Sequence, residues 1–407
     1  MDGPGACSAS GVQNVGLWPA VAVVAGAWAG LSPHAVWVGA PVLPPLVLLA
    51  AAAWWGGHPR LTVAALAAGF AAAACVQAGT EARERFRPSI RALLDAEVGG
   101  FALGAIGPGG PHEPLPTRAR LTEDAARSAE GATLRLSVVA VRVRGTWRAV
   151  EGGVTASIGA PAGVTADRLA TWRAGRLIEA PMVFRRPARY LNAGVRDMEA
   201  DLARGGLALF ASVKSGLLVE LRGRGGPADE LAASVRARVR RAVARWTGAA
   251  DATAGAIVTA VLIGDRGGIS DEVRERLQAA GTYHVIAISG GNVAMLVAIV
   301  VLLLRAAGTG ERAAAVASLV VLAVYGQVAS AGPSVWRATV MAGLHLAARV
   351  LDQRASAWQA MAISGAGMLA LHPLDLLDPG FQLTFGATAA LLHATRWDAP
   401  APRTLSW

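Results

Sequence analysis

Apolar runs long enough to be membrane helices occupy the first 80 residues of the chain. They lie at residues 17–31, at Ala35–Trp55 and at residues 61–79. A membrane-spanning helix needs about 20 mostly apolar residues, so we predict about three transmembrane segments in residues 1–80. Tryptophans stand near the ends of these runs, as they do where helices meet lipid headgroups: Trp18, Trp37, Trp54 and Trp55.

A different pattern begins near residue 81 and continues to residue 226, where glycine, proline and charged residues replace the apolar runs. Apolar residues alternate with polar ones at Leu134, Leu136 and Val138, and then continue on the opposite parity at residues 139, 141 and 143. This predicts a β-strand with a bulge or a register change. Further strands are predicted at residues 154–158, 176–186 and 206–213, with a helix at 194–204. We therefore predict a small all-β, OB-like barrel as a soluble domain at residues 81–226.

Barrels of this type often bind single-stranded nucleic acid through a basic groove in which bases stack on aromatic side chains. The predicted domain offers four candidates for such a surface: Trp147, Trp172, Arg185 and Arg186. The alternative is that the aromatic residues fill the core of the barrel. The sequence alone leaves both interpretations open.

Residues 227–250 contain an amphipathic and strongly basic helix. Its apolar positions recur at spacings of four and three, which predicts one apolar stripe: Leu231, Val235, Val239, Val243 and Trp246. Arginines occupy much of the remaining surface, at positions 236, 238, 240, 241 and 245. Such a helix is typical of a segment that lies along a membrane surface, and it could also steer a polyanion.

Residues 251–407 return to apolar runs, but polar residues interrupt them where lipid would penalise polar groups. The run at residues 285–304 contains Ser289-Gly290-Gly291-Asn292, and the run Pro333–Val350 contains Arg337. Polar groups at membrane depth are tolerated where they face protein or a water-filled path. The pattern therefore predicts a polytopic helical domain that moves a solute, rather than one that only anchors the chain.

Two polar positions in this domain each have two interpretations. The apolar segment Ala252–Ile263 is too short to cross a membrane and ends at Gly264-Asp265-Arg266, which predicts either a re-entrant helix or a plain polar loop. Arg337 either lines a hydrated route or forms a structural pair, for which Asp265 and Asp378 are the candidate partners.

Composition supports the membrane interpretation, since 54% of the 407 residues are hydrophobic, 16% are charged and the mean hydropathy is +0.43. The formal charge of +10 is carried almost entirely by arginine, which reflects either codon bias or a footprint for nucleic acid. Cys7 and Cys75 are far apart and the seven histidines are scattered, so we expect neither a disulfide framework nor a metal site. No nucleophile–base set or phosphate loop stands out, so we expect no enzyme activity and no cofactor in this chain.

Five motifs, in matching order and spacing, resemble the ComEC family of competence proteins. They are Asn192-Ala-Gly194 through Asp197 to Leu202-Ala-Arg-Gly205; Ala260-Val-Leu-Ile-Gly-Asp-Arg266; His284-Val-Ile-Ala-Ile-Ser-Gly290; Pro333-Ser-Val-Trp-Arg337-Ala; and His372-Pro-Leu-Asp375 with Leu377-Asp-Pro-Gly-Phe-Gln-Leu383. The resemblance covers about residues 17–393. One departure is Gly291-Asn292, where the family often has Leu-His, so a role for a histidine there does not carry over.

The resemblance implies a multi-pass channel component of the cytoplasmic membrane that takes single-stranded DNA into the cell during natural transformation. The residues expected to line the route are Gly264, Asp265, Arg266, His284, Ser289, Gly290, Asn292, Arg337, Asp378 and Gln382. The expected partners are single-stranded DNA, membrane lipid, a DNA receptor, a cytoplasmic helicase and further copies of the chain. Two other functions stay open, namely a secondary transporter of a smaller anionic solute and a membrane scaffold that transports nothing.

Many members of the family continue into a metallo-β-lactamase-like domain, whereas these 407 residues contain no H-x-H-x-D-H cluster. We therefore expect either a fragment or truncated member, or a nuclease that lies in another chain.

The side of the membrane on which the β domain lies is predicted from one arginine. Arg60, in the loop at residues 56–60, favours a cytoplasmic loop, and the third segment then places the β domain outside the cytoplasm. The arginines at positions 83, 85, 87 and 91 oppose this orientation, although long translocated domains obey the charge rule poorly.

Overall fold

The computed structural model of the chain describes residues 17–32, 35–97, 114–128, 131–159, 163–188, 192, 194–195, 197–248, 251–281, 290–329, 333–353 and 356–397. The described residues form two compact units. The first contains residues up to 82, residues 297–319 and residues from 337 onward, and the second contains residues 83–296 and 320–336.

Three apolar helices open the chain, namely α1 (Leu17–Gly30), α2 (Ala35–Trp55) and α3 (Pro59–Phe86). They confirm that the three predicted apolar segments are helical. Helix α3 is longer than its apolar run, because it continues into a charged last turn with Arg83 and Arg85. Cations there interact favourably with the negative end of the helix dipole. Pro59 stands at the start of α3, where the N–H that proline lacks would have no intrahelical acceptor.

Glycines in α1 let this helix approach α3 closely within the first unit. A Cβ atom at Gly26 would lie 2.0 Å from the carbonyl oxygen of Ala71, and one at Gly30 would lie 2.4 Å from that of Cys75. Small residues at such crossings allow helices to associate in membranes, where lipid tails are as apolar as leucine. The same unit has a small apolar core: Val23, Ala74, Met368, Leu369 and Phe381.

The second unit contains a seven-stranded β-sheet. After helix α4 (Ser89–Glu97), its strands are β1 (Leu115–Leu121), β2 (Ala126–Ser128), β3 (Gly131–Val143), β4 (Thr146–Ile158), β5 (Leu177–Arg185), β6 (Leu207–Val213) and β7 (Glu220–Gly223). Helices α5 (Ala166–Thr171) and α6 (Met198–Arg204) interrupt the strands. Helix α6 starts later than predicted because Asp197 caps it, accepting a hydrogen bond from the N–H of Ala200.

Five of the strands form a closed series, because the last strand of the series also pairs with the first. Neighbours in the series β1, β3, β4, β6 and β5 are hydrogen-bonded in that order, and β5 also pairs with β1. The β4–β6 pair is parallel, and the other pairs of the series are antiparallel. The β3–β4 ladder shifts register between Val138 and Ala140, which confirms the bulge predicted from the change of parity.

The interior of the sheet is apolar and is covered by helix α4. Ile90 and Leu94 of α4 are fully buried and belong to the same core as the strand residues. Seven further large side chains of this core are fully buried. Trp172 directly follows α5, and the other six belong to strands: Leu121, Leu134, Ile158, Ile178, Met182 and Leu209. This core belongs to the second unit alone.

Eight helices follow the sheet among the described residues. They are α7 (Pro227–Thr247), α8 (Ala252–Ile263), α9 (Asp271–Ala279), α10 (Gly290–Ala306), α11 (Glu311–Val328), α12 (Pro333–Val350), α13 (Ala357–Leu371) and α14 (Pro379–Trp397). Helices α7, α8 and α12 confirm the predicted elements almost to the residue. The start of the broken run predicted at residues 285–304 lies outside the described residues, and α10 begins at Gly290.

Two helical stretches among the described residues are long and apolar enough to cross a membrane, at Pro59–Glu97 and Glu311–Val328. Protein buries only 22% and 28% of their apolar segments. Shorter apolar helices of 10–17 residues accompany them, including Ala252–Ile263 and Gly290–Ala306. Long helices with uncovered apolar surfaces suit a lipid environment better than a soluble core.

Candidate functional site

The second unit contains a partly buried network in which two arginines of α7 meet two carboxylates from other segments. Arg236 donates to both oxygens of Asp124, with Nε–Oδ2 and Nη2–Oδ1 distances of 2.8 Å each. Their side chains are only 7% and 11% exposed. Arg240 donates from Nε to Asp265 Oδ2 at 2.6 Å, and from Nη1 and Nη2 to Asp124 Oδ2 at 3.2 Å. The network thus joins the β1–β2 connection to α7 and to the turn after α8.

Two opposing influences act on the pKa of Asp124. Burial raises the pKa, whereas the hydrogen bonds from Arg236 and from the N–H of Ala174 lower it, and the net result lies below the ordinary value. The carboxylate is therefore ionised at neutral pH, as a bidentate partner of arginine should be. Removing either arginine would leave a buried charge without full compensation.

Helix α7 differs from the amphipathic helix predicted for it. Arg236 and Arg240 are one turn apart and point into the protein, while the other three arginines, at positions 238, 241 and 245, are exposed. The apolar stripe is also divided, because Val235 and Val239 pack against Ile263 and Val328 whereas Trp246 is 91% exposed. Internal carboxylates thus draw two of the arginines inward, and the predicted apolar stripe packs against protein along only part of its length.

The turn after α8 is built by local hydrogen bonds. Gly264 ends α8 in the left-handed conformation with φ of 76°, which glycine adopts without steric cost, and its N–H donates to the carbonyl of Ala260. Asp265 Oδ1 accepts from the N–H of Gly267 at 3.0 Å, and this leaves Oδ2 for Arg240. The 12 residues of α8 span only about 18 Å, less than a bilayer core.

A second charge cluster lies in the first unit. Arg337, 7% exposed, donates from Nη1 to Asp378 Oδ2 at 2.8 Å, which confirms Asp378 as the partner among the two candidates. Asp378 Oδ2 also accepts from the N–H of Phe381 at 3.0 Å, in the first turn of α14. A Cβ atom at Gly380 would lie 2.7 Å from Arg337 Nη2, so a larger residue there would force one partner of the pair to move.

Further hydrogen bonds hold the segment between α13 and α14. Glu81 Oε2 accepts from the N–H of Leu374 at 3.2 Å, and His372 Nδ1 lies 3.7 Å from Glu81 Oε1. Gln382, a predicted route residue, donates to the carbonyl of Leu376 at 2.9 Å while its side chain stays exposed.

The structure describes only some of the other residues predicted to line the route. His284 and Ser289 lie outside the described residues, Arg266 is exposed, and Gly290 is the first residue of α10. Asn292 Nδ2 is buried and has no hydrogen-bond partner among the described residues. Gly264, Asp265, Arg266, Gly290 and Asn292 belong to the second unit, and Arg337, Asp378 and Gln382 to the first. That these residues line one route stays a prediction.

The structure separates the four predicted DNA-binding residues. Trp172 is 1% exposed and forms part of the core, so the prediction that it stacks on bases is wrong. Arg186 pairs with Asp95 at 2.6 Å, and Arg185 is exposed at the end of β5. Trp147 is half-buried on β4, with the guanidinium of Arg118 at 4.2 Å from its ring centre.

Sequence reasoning missed the basic residues around Trp147. Arg142 stands directly opposite Trp147 in the β3–β4 ladder, and Arg148 is the next residue along β4. Both arginines are exposed. The sequence did contain a signal for Arg142. After the bulge at Val138–Ala140, apolar and polar residues of β3 alternate again, which places Arg142 on the outer face.

Two helical stretches that are long and apolar enough to cross a membrane, together with a separate β-sheet, indicate a membrane protein that also contains a β domain. Residues 261–406 match the family described as "Competence protein". The chain is also 34% identical over 136 residues to ComE operon protein 3 of Bacillus subtilis (strain 168), an alignment that covers 33% of this chain and 18% of that relative. No solved structure matches the chain. The two matches confirm, for this part of the chain, the resemblance to the ComEC family predicted from the motifs.

Proposed function

We propose that this chain forms part of the membrane route by which single-stranded DNA enters the cytoplasm during natural transformation. The match of residues 261–406 to the competence family carries the proposal, because it includes helices α10 to α14 and the turn at Gly264-Asp265-Arg266. A polyanion needs a hydrated and polar route, since each charge placed in hydrocarbon costs several kcal/mol.

Charge compensation within the matched region supports a polyanionic substrate. Asp265 and Asp378 each accept a hydrogen bond from an arginine, at 2.6 and 2.8 Å. A free carboxylate beside the route would repel phosphates, and the repulsion would be strong where little water screens it. Pairing with Arg240 and Arg337 removes this repulsion while the carboxylates still accept backbone hydrogen bonds in their turns.

We also propose that the closed series of five strands is an OB-like barrel at residues 81–226. The return pairing of β5 with β1, the parallel β4–β6 pair and the apolar interior covered by α4 support this assignment. The exposed end of the β3–β4 hairpin, with Arg142 and Trp147 opposite each other on the outer face and Arg148 next to Trp147 in sequence, would contact the strand, with the arginines near phosphates and the indole near a base.

The membrane arrangement that we propose is multi-pass, with the β domain outside the cytoplasm. Three apolar helices precede the domain, and Arg60 lies in the first turn of the third. The basic surface of the β domain would then lie on the side of the membrane from which DNA arrives.

A deletion experiment tests the proposed function. The gene is deleted in its host and restored on a plasmid, and cells are given labelled DNA. We expect nuclease-resistant label to fall to background in the deletion strain, surface-bound label to stay unchanged, and the plasmid to restore uptake. Normal nuclease-resistant label in the deletion strain would contradict the proposal. Loss of surface-bound label would instead indicate a receptor or a scaffold.

A further inference from the structure

Arg240 differs from the other arginines of α7 because it bridges two carboxylates that are far apart in sequence. Its Nε donates to Asp265, in the turn after α8, and both of its Nη atoms donate to Asp124, in the β domain. By contrast, exposed Arg241 donates from Nε to the carbonyl of Ala237 in its own helix.

The other half of this bridge is firmly anchored. Asp124 also receives two hydrogen bonds from Arg236 and one from the N–H of Ala174 at 3.1 Å. Arg236 Nη1 in turn donates to the carbonyl of Gln327, near the end of α11, at 3.3 Å. These hydrogen bonds fix the position of the Asp124 carboxylate. Because Arg240 also binds this carboxylate, its guanidinium is held in the place where it meets Asp265.

Asp265 depends on Arg240 for neutralisation. Its Oδ1 is used by the N–H of Gly267, whereas Oδ2 accepts from Arg240. Arg266, the next residue, is exposed. Loss of Arg240 would leave an anion in a turn that belongs to the family-matched region.

We infer that Arg240 is a positioning residue for the proposed DNA route, which it serves by orienting and neutralising Asp265 while Asp124 of the β domain holds it in place. The inference rests on the proposed function. The face of α7 that carries Arg240 would then serve transport, whereas the sequence predicted that α7 lies along the membrane surface.

Charge-removing variants test this role through uptake of labelled DNA at matched protein levels. Arg240→Gln should lower uptake roughly tenfold, which corresponds to about 1.4 kcal/mol, because it leaves an anion exposed to the polyanion. Asp265→Asn should lower uptake clearly less than Arg240→Gln does, since an asparagine oxygen still accepts from Gly267 and carries no charge. The double variant should recover most of the uptake that Arg240→Gln removes, and Arg241→Gln is the matched control with unchanged uptake.

A double variant that stays as poor as Arg240→Gln would overturn the inference, because Arg240 would then act through Asp124 or through the fold. The wild type, the two single variants Arg240→Gln and Asp265→Asn, and their double variant are also melted in detergent as the complete chain. Arg240→Gln should lower the melting temperature in the wild type more than in the Asp265→Asn background, and an equal decrease in both would contradict the ion pair itself. This second readout is independent of transport. If the wild type supported no uptake while the coupling was present, the proposed function would fail and the positioning interaction would stand.

Discussion

Arg337 Nη1 donates to Asp378 Oδ2 at 2.8 Å and thereby ties α12 to the first turn of α14. The arginine is buried, and the same carboxylate oxygen also accepts from the N–H of Phe381. Arg337 therefore forms a structural pair, one of the two interpretations that the sequence left open for it, the other being a hydrated route. Asp378 is more exposed than Arg337.

Gly380→Ala should disrupt this pair. The added Cβ atom would stand 2.7 Å from Arg337 Nη2 and 3.0 Å from Asp378 Oδ2, closer than ordinary contacts allow, so one partner must move. We expect a lower melting temperature of the detergent-purified chain and reduced DNA uptake. Gly386→Ala is the matched control, because a Cβ atom there meets nothing within 4 Å in the same helix. It should be neutral or stabilise α14 by roughly 0.5–1 kcal/mol. Equal melting temperatures for Gly380→Ala and the wild type would show that the pair adapts without cost.

The surface around Trp147 should contribute to binding of single-stranded oligonucleotides. Trp147→Ala removes an aromatic face, which is worth roughly 1–3 kcal/mol when a base stacks on it. Arg142→Gln with Arg148→Gln should reduce the slope of log K against log salt by roughly 0.7 for each phosphate that the arginines no longer neutralise. Fluorescence anisotropy of a labelled oligonucleotide at several salt concentrations measures both effects.

The control for this surface removes two arginines from α9, Arg274 and Arg276, and changes the net charge by the same amount. If it reduced the salt slope as much as the β-domain variant did, binding would depend on total charge and not on this surface. Trp172 is unsuitable for the test, because its removal would open a cavity in the core.

Glu230 should make the packing of α7 against the β domain sensitive to acid. Arg176 donates to both oxygens of Glu230, at 2.7 and 2.8 Å, and mainly this hydrogen-bonded pair lowers the pKa of the carboxyl from 4.5 to about 2. A lowered pKa means that the pair stabilises the folded state fully above pH 4.5 and loses this contribution as the pH falls towards 2. Glu230→Gln should therefore cost stability at neutral pH and show a smaller further loss in acid.

Melting temperatures of the detergent-purified chain, from neutral pH down to about pH 3, measure this effect. Glu272→Gln is the control, because Glu272 forms an exposed pair with Arg276 within α9. It should keep the pH dependence of the wild type. An unchanged acid response in Glu230→Gln would mean that other carboxylates govern it.

A reporter that is active only in the cytoplasm tests the orientation of the β domain. Fused after Val213, at the end of β6, it should be silent, because the third helix carries the domain out of the cytoplasm. Fused after Gly57, in the loop before α3, it should be active. Activity at Val213 would show that one of the three N-terminal segments does not cross, and residues 17–31 would be the first to reconsider.

Local patterns were sufficient to locate most elements of this chain. Helix α2 and helix α12 were predicted with the bounds that the structure shows, and the bulge in β3 was predicted from a change of parity. These features follow from the spacing of apolar residues, because backbone geometry puts every second residue of a strand, or every third and fourth of a helix, on one face. The family resemblance likewise needed only short motifs in order.

The choice of partners was decided by tertiary structure. The sequence could show that α7 is basic, but it could not show which arginines face inward, because Arg236 meets Asp124 across 112 residues. Nor could it show that Trp172 fills the core while Trp147 lies at the surface, although both follow basic or polar neighbours. Periodicity places a side chain on a face, whereas packing between distant segments determines what that face meets and hence whether a charge is compensated or available to a substrate.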